Sequence, residues 1–254
     1  MASTRESNLS SSTASSYTNS DINILKRLNK VSTEHVADIF DSLGIKGRVI
    51  NSSTSGIKPI NYTSPLCGKA YTVEFSNLAD QRDAIGINTR DYLNYVPEGS
   101  VIMIGNTAGN EFSVWGGILS FYANQHKILG TITNGSARDI DDIQKQPYPV
   151  FSSGASCNRS TGRYKVVALQ STITISGVNI NPGDYVLASR SGIVVLDPLQ
   201  ADKIISLAEK KREDEENVIK LISLGYSLFD VDKKMAEDKK SLEVDHHHKT
   251  PGVI

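Results

Sequence analysis

Cysteine, tryptophan and net charge are all scarce in this chain. Two of its 254 residues are cysteine and one is tryptophan. Two thiols, Cys67 and Cys157, do not make a disulfide framework, and neither has a partner at metal-ligand spacing. They read as buried free thiols. No HxxxH or Cys/His spacing offers zinc a site, which excludes the zinc-bound classes. Twenty-seven basic residues nearly cancel twenty-eight acidic ones, leaving a net charge of -1. That balance gives no general attraction to nucleic acid. No apolar run approaches the ~20 residues that span a bilayer, and the N-terminus lacks the apolar core of a secretory signal. The expectation is a cytoplasmic protein in a reducing setting, with neither nucleic acid nor membrane as partner. A GxGxxG fingerprint after the first strand and a P-loop are both missing, so a doubly wound nucleotide fold is not expected.

What is there is ordinary globular composition, with 39% hydrophobic and 22% charged residues. Residues 1–20 are mostly Ser, Thr and small polar groups and read as a disordered tail. Residues 232–254 read as a charged, flexible tail ending in DHHHKTPGVI, and 21–231 as one domain. In the body, 20–44 reads as two helices, the first capped by Ser20 and the second by Ser32 or Thr33, with Gly44 as the stop. GKAYTVEFS alternates like a half-buried strand. RDAIGINTRDYLNYV reads as a helix and GSVIMIGN as a buried strand. A glycine-opened helix follows in SVWGGILSFYANQHKI, then the strand LGTITNG, a helix beginning in ARDIDDIQKQ, and the short strand PVFSSGA. Residues 164–198 read as three or four mainly antiparallel strands with turns at Gly177, Pro182-Gly183 and Ser191-Gly192. The long amphipathic helix after Pro198 takes its apolar positions from Ile204, Ile205, Leu207, Val218, Ile219, Leu221 and Ile222, and stops at Gly225. Strand–helix units followed by a strand-rich segment predict a mixed α/β body with sheet packed on sheet as well as on helices.

Two strand-to-helix turns can carry chemistry. In GNEFSVWGGILS, a Gly-Gly pair opens a helix, leaving N–H groups free for a carboxylate or phosphate; close packing explains it equally. In TNGSARDIDD, Arg138 can stabilise developing oxyanion charge and Asp139 can hold a hard divalent cation. The same residues read as a solvated ion pair followed by Asp141 and Asp142 at a helix start. The run KKREDEEN places Glu213, Asp214, Glu215 and Glu216 around one turn, as a solvated face or as a donor to a neighbouring subunit. His35 and His126 are isolated and read as structural.

Taken together, ADIFDSLGIKGRV, LCGKAYTVEF, WGGILS, TNGSARDIDDI and NPGDYVLAS-RSGIVVLD resemble, in order and spacing, the family of the regulator of ribonuclease activity A (RraA) and the class II 4-hydroxy-4-methyl-2-oxoglutarate aldolases. The resemblance runs from about Ile24 to Asp230. It implies an α/β/β sandwich of the swivelling phosphohistidine-domain type, assembled as a trimer or hexamer with sites between subunits. It implies a Mg²⁺- or Mn²⁺-dependent lyase that cleaves a 4-hydroxy-2-oxo acid to pyruvate and also decarboxylates oxaloacetate, both through a pyruvate enolate.

Carried onto this sequence, the resemblance makes Asp139 the metal ligand. Arg138 becomes the contact to the pyruvyl oxygens, and the backbone of Gly116, Gly117, Ile118 and Leu119 the substrate carboxylate cradle. It makes Glu215, or its neighbours Asp214 and Glu216, the residue that reaches the metal's water shell from the adjacent subunit. One position departs from the pattern. The family's aldolases often carry Asp or Glu where this chain has Gly117, which removes a carboxylate that orients metal-bound water. Glu111 is a candidate to compensate, and Gln81-Arg82-Asp83 is another polar cluster on the approach side. Two alternatives stay open: a non-catalytic, protein-binding regulator of an RNA-degrading enzyme, and different enolate chemistry on a specialised metabolite, which the aromatic pair Phe112 and Trp115 would suit.

Overall fold

In a computed structural model, the structure describes residues 17–62 and 64–235. Most of both expected tails therefore falls outside the described residues. The chain divides after Ser206 into two compact units, each taken here by itself.

Two short helices come first, α1 (Asn19–Leu28) and α2 (Thr33–Ser42). Thr18, not Ser20, caps α1: its hydroxyl accepts the Asp21 N–H, and the Asp21 carboxylate accepts the Thr18 N–H in return. A capping box needs an acid three residues after the cap, and Thr18 has one in Asp21. Ser32 caps α2 with His35 as the reciprocal partner, which gives that histidine a structural role.

The rest of the first unit is mainly sheet. Its strands are β1 (Val49–Asn51), β2 (Lys58–Pro59), β3 (Leu66–Asn77), β4 (Ser100–Asn106), β5 (Ser113–Trp115), β6 (Gly130–Thr133), β7 (Ser136–Ala137), β8 (Val150–Ser152), β9 (Gly154–Ala155), β10 (Tyr164–Leu169), β11 (Ile173–Ile175), β12 (Val178–Ile180), β13 (Tyr185–Ala188) and β14 (Gly192–Leu196). Between them lie α3 (Ser52–Ser55), α4 (Gly117–Gln125) and α5 (Ile140–Gln144), and α6 (Pro198–Ser223) follows β14. The large sheet runs β1-β14-β13-β3-β4-β6-β8-β2, with β10 also pairing β3. Strands β3, β4, β6 and β8 are parallel to one another, and β13, β14, β1, β10 and β2 add antiparallel pairs.

Strand alternation separates two cores. Successive side chains leave opposite faces of a strand. On β4, Ile102 and Ile104 join one core with Ala123 of α4 and Ile143 of α5. Val101 and Met103 join the other, with Ile173, Ile175, Val178 and Ile180 of the β11–β12 ribbon. Helices cover one face and strands the other, so the architecture is the expected α/β/β sandwich.

Four expectations need correction. Residues 82–96 form no α-helix; only a 3-10 turn, Asp91–Tyr95, is present. Local polar bonds win there: Asp80 binds the Arg82 backbone and guanidinium, the Asn88 amide binds Asp91, and Gly86 takes φ 82°. The strand-rich segment contains five strands rather than three or four, because the chain also breaks between β10 and β11, where Gln170 takes φ 51°. Cys157 is exposed in the loop after β9, whereas Cys67 is half-buried and burial pushes its thiol up to about 12. On α6, Ile204 and Ile205 are buried as expected, but Ile219 and Ile222 are exposed.

α1 is pinned by Asp21, which accepts the Tyr185 hydroxyl at 2.6 Å and pairs with Lys69 at 3.0 Å. Burial raises its pKa, but the bonds from Tyr185, the Thr18 N–H and Lys69 outweigh that and hold the carboxyl well below the usual range. A depressed folded-state pKa gives stability that is full above the unfolded value of about 3.9 and fades as pH falls below it. Asp21→Ala is therefore expected to cost about 2–3 kcal/mol at pH 7. In urea unfolding, the gap from wild type should narrow steadily below about pH 4.

Candidate active site

Both turns singled out from sequence lie beyond the carboxyl ends of the parallel strands β4 and β6, where open α/β sheets place ligands. A small parallel sheet, β5-β7-β9, is built there. β5 runs into the Gly-Gly turn and β7 into Arg138. The Arg138 N–H donates to the Trp115 carbonyl at 3.0 Å, which locks the two turns side by side.

Gly116 is extended and carries no capping side chain for α4. The N–H groups of Ile118 and Leu119 thus have no acceptor within the helix. The Gly117 N–H is taken: it donates to Asp139 Oδ2 at 3.2 Å. Of the amides expected from sequence to form a carboxylate cradle, that of Gly117 is therefore already engaged by Asp139. Asp139 is in the left-handed region at φ 55°, a conformation that Asp and Asn tolerate better than most residues. Its Oδ1 accepts from Arg138 Nε at 3.2 Å.

The glycines are needed for this approach. A Cβ on Gly116 would lie 2.9 Å from Arg138 Cγ and 3.0 Å from Asp139 Oδ2. A Cβ on Gly117 would lie 3.3 Å from Asp139 Cβ and 3.4 Å from Asp142 Cβ, which is tight but less severe.

A cavity of about 340 Å³ opens in front of the pair, lined in part by Gly116, Ile118, Leu119, Arg138 and Asp139. Arg138 and Asp139 keep side-chain exposures of 42% and 31%, so solvent reaches both. Asp141 and Asp142 occupy the first turn of α5. Glu215 lies in the second unit, where it pairs with Lys211 at 3.7 Å. Arg82 is held by Asp80 and Glu74, and neither it nor Glu111 lines the cavity. Trp115 is buried and stacks on Tyr148, with its indole N–H on Ser120; Phe112 packs edge-on to Tyr164. Trp115 also lines the cavity, whereas Phe112 does not. Sequence reasoning missed Arg90 and Arg159, which also line the cavity. They come from loops far from the Arg-Asp turn, and no spacing rule links them to it.

The donor chemistry would fit a loosely held hard cation. One carboxylate with solvent access suits Mg²⁺ or Mn²⁺, which use one or two carboxylates, substrate oxygens and several waters. It does not suit a closed zinc site. Among the described residues, no three His, Cys, Asp or Glu side chains gather around a common point.

A family model described as RraA-like, Aldolase/RraA, matches residues 33–195. The chain belongs to the RraA-like family. Among its RraA-like relatives, protein DlpA of Legionella pneumophila is 30% identical over 206 residues, covering 81% of this chain and 32% of that protein. The chain thus spans about a third of that relative's length. A Halalkalibacterium halodurans protein provisionally named a 4-hydroxy-4-methyl-2-oxoglutarate aldolase is 25% identical, covering 77% of this chain and 87% of its own. A crystal structure of a Pseudomonas syringae protein matches with a TM-score of 0.73 at 30% identity, covering 85% of this chain and 99% of that one. Within the described residues of this RraA-like chain, no helix is long and apolar enough to cross a membrane.

Proposed function

We propose that this protein is a divalent-metal-dependent carbon–carbon lyase acting on 2-oxo acids. It cleaves a 4-hydroxy-2-oxo acid of the 4-hydroxy-4-methyl-2-oxoglutarate type to pyruvate and also decarboxylates oxaloacetate. The observation that carries this reading is the Arg138–Asp139 pair folded against an uncapped Gly-Gly helix start. A binding regulator does not require this arrangement of a cation, a metal-competent carboxylate and free amides. The aldolase name of the Halalkalibacterium relative supports the same reading.

In this reading the Ile118 and Leu119 amides bind the substrate's C1 carboxylate, and Asp139 holds Mg²⁺ or Mn²⁺ with help from waters. When bound, the cation supplies Lewis acidity to the 2-oxo acid. Arg138 faces the C2 oxygen. A water hydrogen-bonded to Asp139, the one carboxylate among the described residues that line the cavity, takes up the 4-hydroxyl proton and returns it to C3 in the last step. The C3–C4 bond then breaks, C4 leaves as a carbonyl, and its bonding pair forms the C2–C3 double bond of the enolate. Arg138 stabilises the charge that develops on the C2 oxygen. Protonation at C3 completes pyruvate. With oxaloacetate the same bond breaks to release carbon dioxide.

The protein acts as an oligomer, a trimer or hexamer, in which Glu215 of one copy reaches the site of the next. Ile118 and Phe121 on α4 are 81% and 60% exposed, an apolar surface that a second copy would cover.

The test is pyruvate release from 4-hydroxy-4-methyl-2-oxoglutarate and from oxaloacetate by purified protein with Mg²⁺ or Mn²⁺. Turnover abolished by EDTA is expected; the absence of turnover on both substrates contradicts the proposal. Gly116→Ala crowds Arg138 and Asp139 without touching the core. It is expected to lower kcat by about a hundredfold, because a misplacement of about 1 Å is enough for that. Its melting temperature should stay near wild type.

A further inference from the structure

The cavity that holds Asp139 is mainly cationic in its charged groups. Arg90 and Arg159 line it with Arg138, flanked by Thr89, Ser160 and Thr161. Among the described residues Asp139 is its only acid, and it already binds Arg138. Among the described residues, three arginines therefore line the cavity with one carboxylate. Arg90 meets Asp91 only at 3.9 Å, and among the described residues Arg159 has no ion-pair partner. Arg159 is also well placed by its backbone. Its neighbour Asn158 accepts from both the N–H and the hydroxyl of Ser113, each at 2.8 Å, and Ser113 and Arg159 form a β-bridge. The Ser156 N–H donates to Ala137 and the Arg163 N–H to Ser160, tying down both ends of the loop. A fixed backbone lowers the entropy lost when Arg159 engages a ligand.

The C1 carboxylate and the C2 oxygen of a 2-oxo acid are served by the α4 amides and Arg138. Nothing in that reading uses Arg90 or Arg159. We infer that Arg159, assisted by Arg90, is the specificity-determining residue that binds a second carboxylate at the far end of the substrate. The site thus prefers 2-oxo dicarboxylates to monocarboxylates of equal length. The inference rests on the site being one for 2-oxo acids. Guanidinium is the side chain suited to forked recognition of a carboxylate, and the cavity is at the small end of ligand pockets, matching a short-chain diacid.

The experiment is calorimetric titration, with Mg²⁺ present, of 2-oxoglutarate and 2-oxopentanoate, which differ only in the tail carboxylate. Wild type, Arg159→Ala, Arg159→Lys and Arg90→Ala are compared, with melting temperatures as the folding check. Wild type should bind 2-oxoglutarate about tenfold or more tightly, a difference of about 1.4 kcal/mol. Arg159→Ala should remove that preference and leave 2-oxopentanoate binding unchanged. Arg159→Lys should keep part of the preference, and Arg90→Ala should lose less than Arg159→Ala. An unchanged ratio in Arg159→Ala, an equal loss for both ligands, or no binding of either by wild type overturns the inference. Because binding is read without turnover, a protein that keeps the Arg159-dependent preference but releases no pyruvate refutes the lyase reading alone. Conversely, lyase activity with an unchanged ratio refutes only the role of Arg159.

Discussion

Asp139→Asn is expected to lower metal-dependent pyruvate release from oxaloacetate by about a thousandfold or more, at unchanged melting temperature. Asparagine is the informative replacement because Asp139 adopts a left-handed backbone, which Asn accepts almost as well. Its side-chain oxygen can still accept the Gly117 N–H that Asp139 Oδ2 accepts now. The variant removes the negative charge and keeps the turn. Asp139→Ala loses both, and should add about 1 kcal/mol of destabilisation from the strained conformation. If the Asn variant keeps its turnover, measured by coupled reduction of the pyruvate formed, Asp139 is not the metal anchor.

Arg138→Ala should separate enolate stabilisation from metal binding. The Arg138 backbone stays fixed by the Trp115 carbonyl, so the small sheet survives the change. Losing one positioned donor for developing oxyanion charge is expected to lower kcat by about 10²–10³-fold. Calorimetric affinity for Mn²⁺ should remain within about threefold of wild type, because Arg138 supplies no electron pair to a cation. Arg138→Lys should recover only part of the rate, since a single ammonium replaces a planar fork. An equal fall in Mn²⁺ affinity and kcat would assign Arg138 to holding Asp139 rather than to the reaction.

The layers were legible in the sequence where burial is two-sided or strictly alternating. The run Val101–Ile104 predicted a buried strand and is one, feeding both cores. Arg138 and the Gly-Gly pair each had a bland explanation on their own; only their joint spacing pointed to one site. What stayed hidden was set by contacts between distant segments or by local polar competition. Residues 82–96 have helical spacing of apolar groups, but Asp80, Asn88 and Asp91 bind nearby groups instead. Thr18 outcompeted Ser20 as a cap because Asp21 stands three residues after it. Arg159 reaches the cavity through a bridge to Ser113, and no periodicity encodes that bridge. The engagement of the Gly117 N–H by Asp139 was equally unreadable, since it depends on the left-handed turn at Asp139.

The property proposed for the site is stabilisation of a pyruvate enolate, and that can be measured without knowing the second substrate. Pyruvate is incubated with the protein and Mg²⁺ or Mn²⁺ in deuterium oxide, and loss of the C3 methyl proton signal is followed by NMR. Wild type should exchange these protons at a rate proportional to enzyme, and EDTA or Asp139→Asn should stop the exchange. No exchange by wild type with either metal, or equal exchange by Asp139→Asn, would contradict the account.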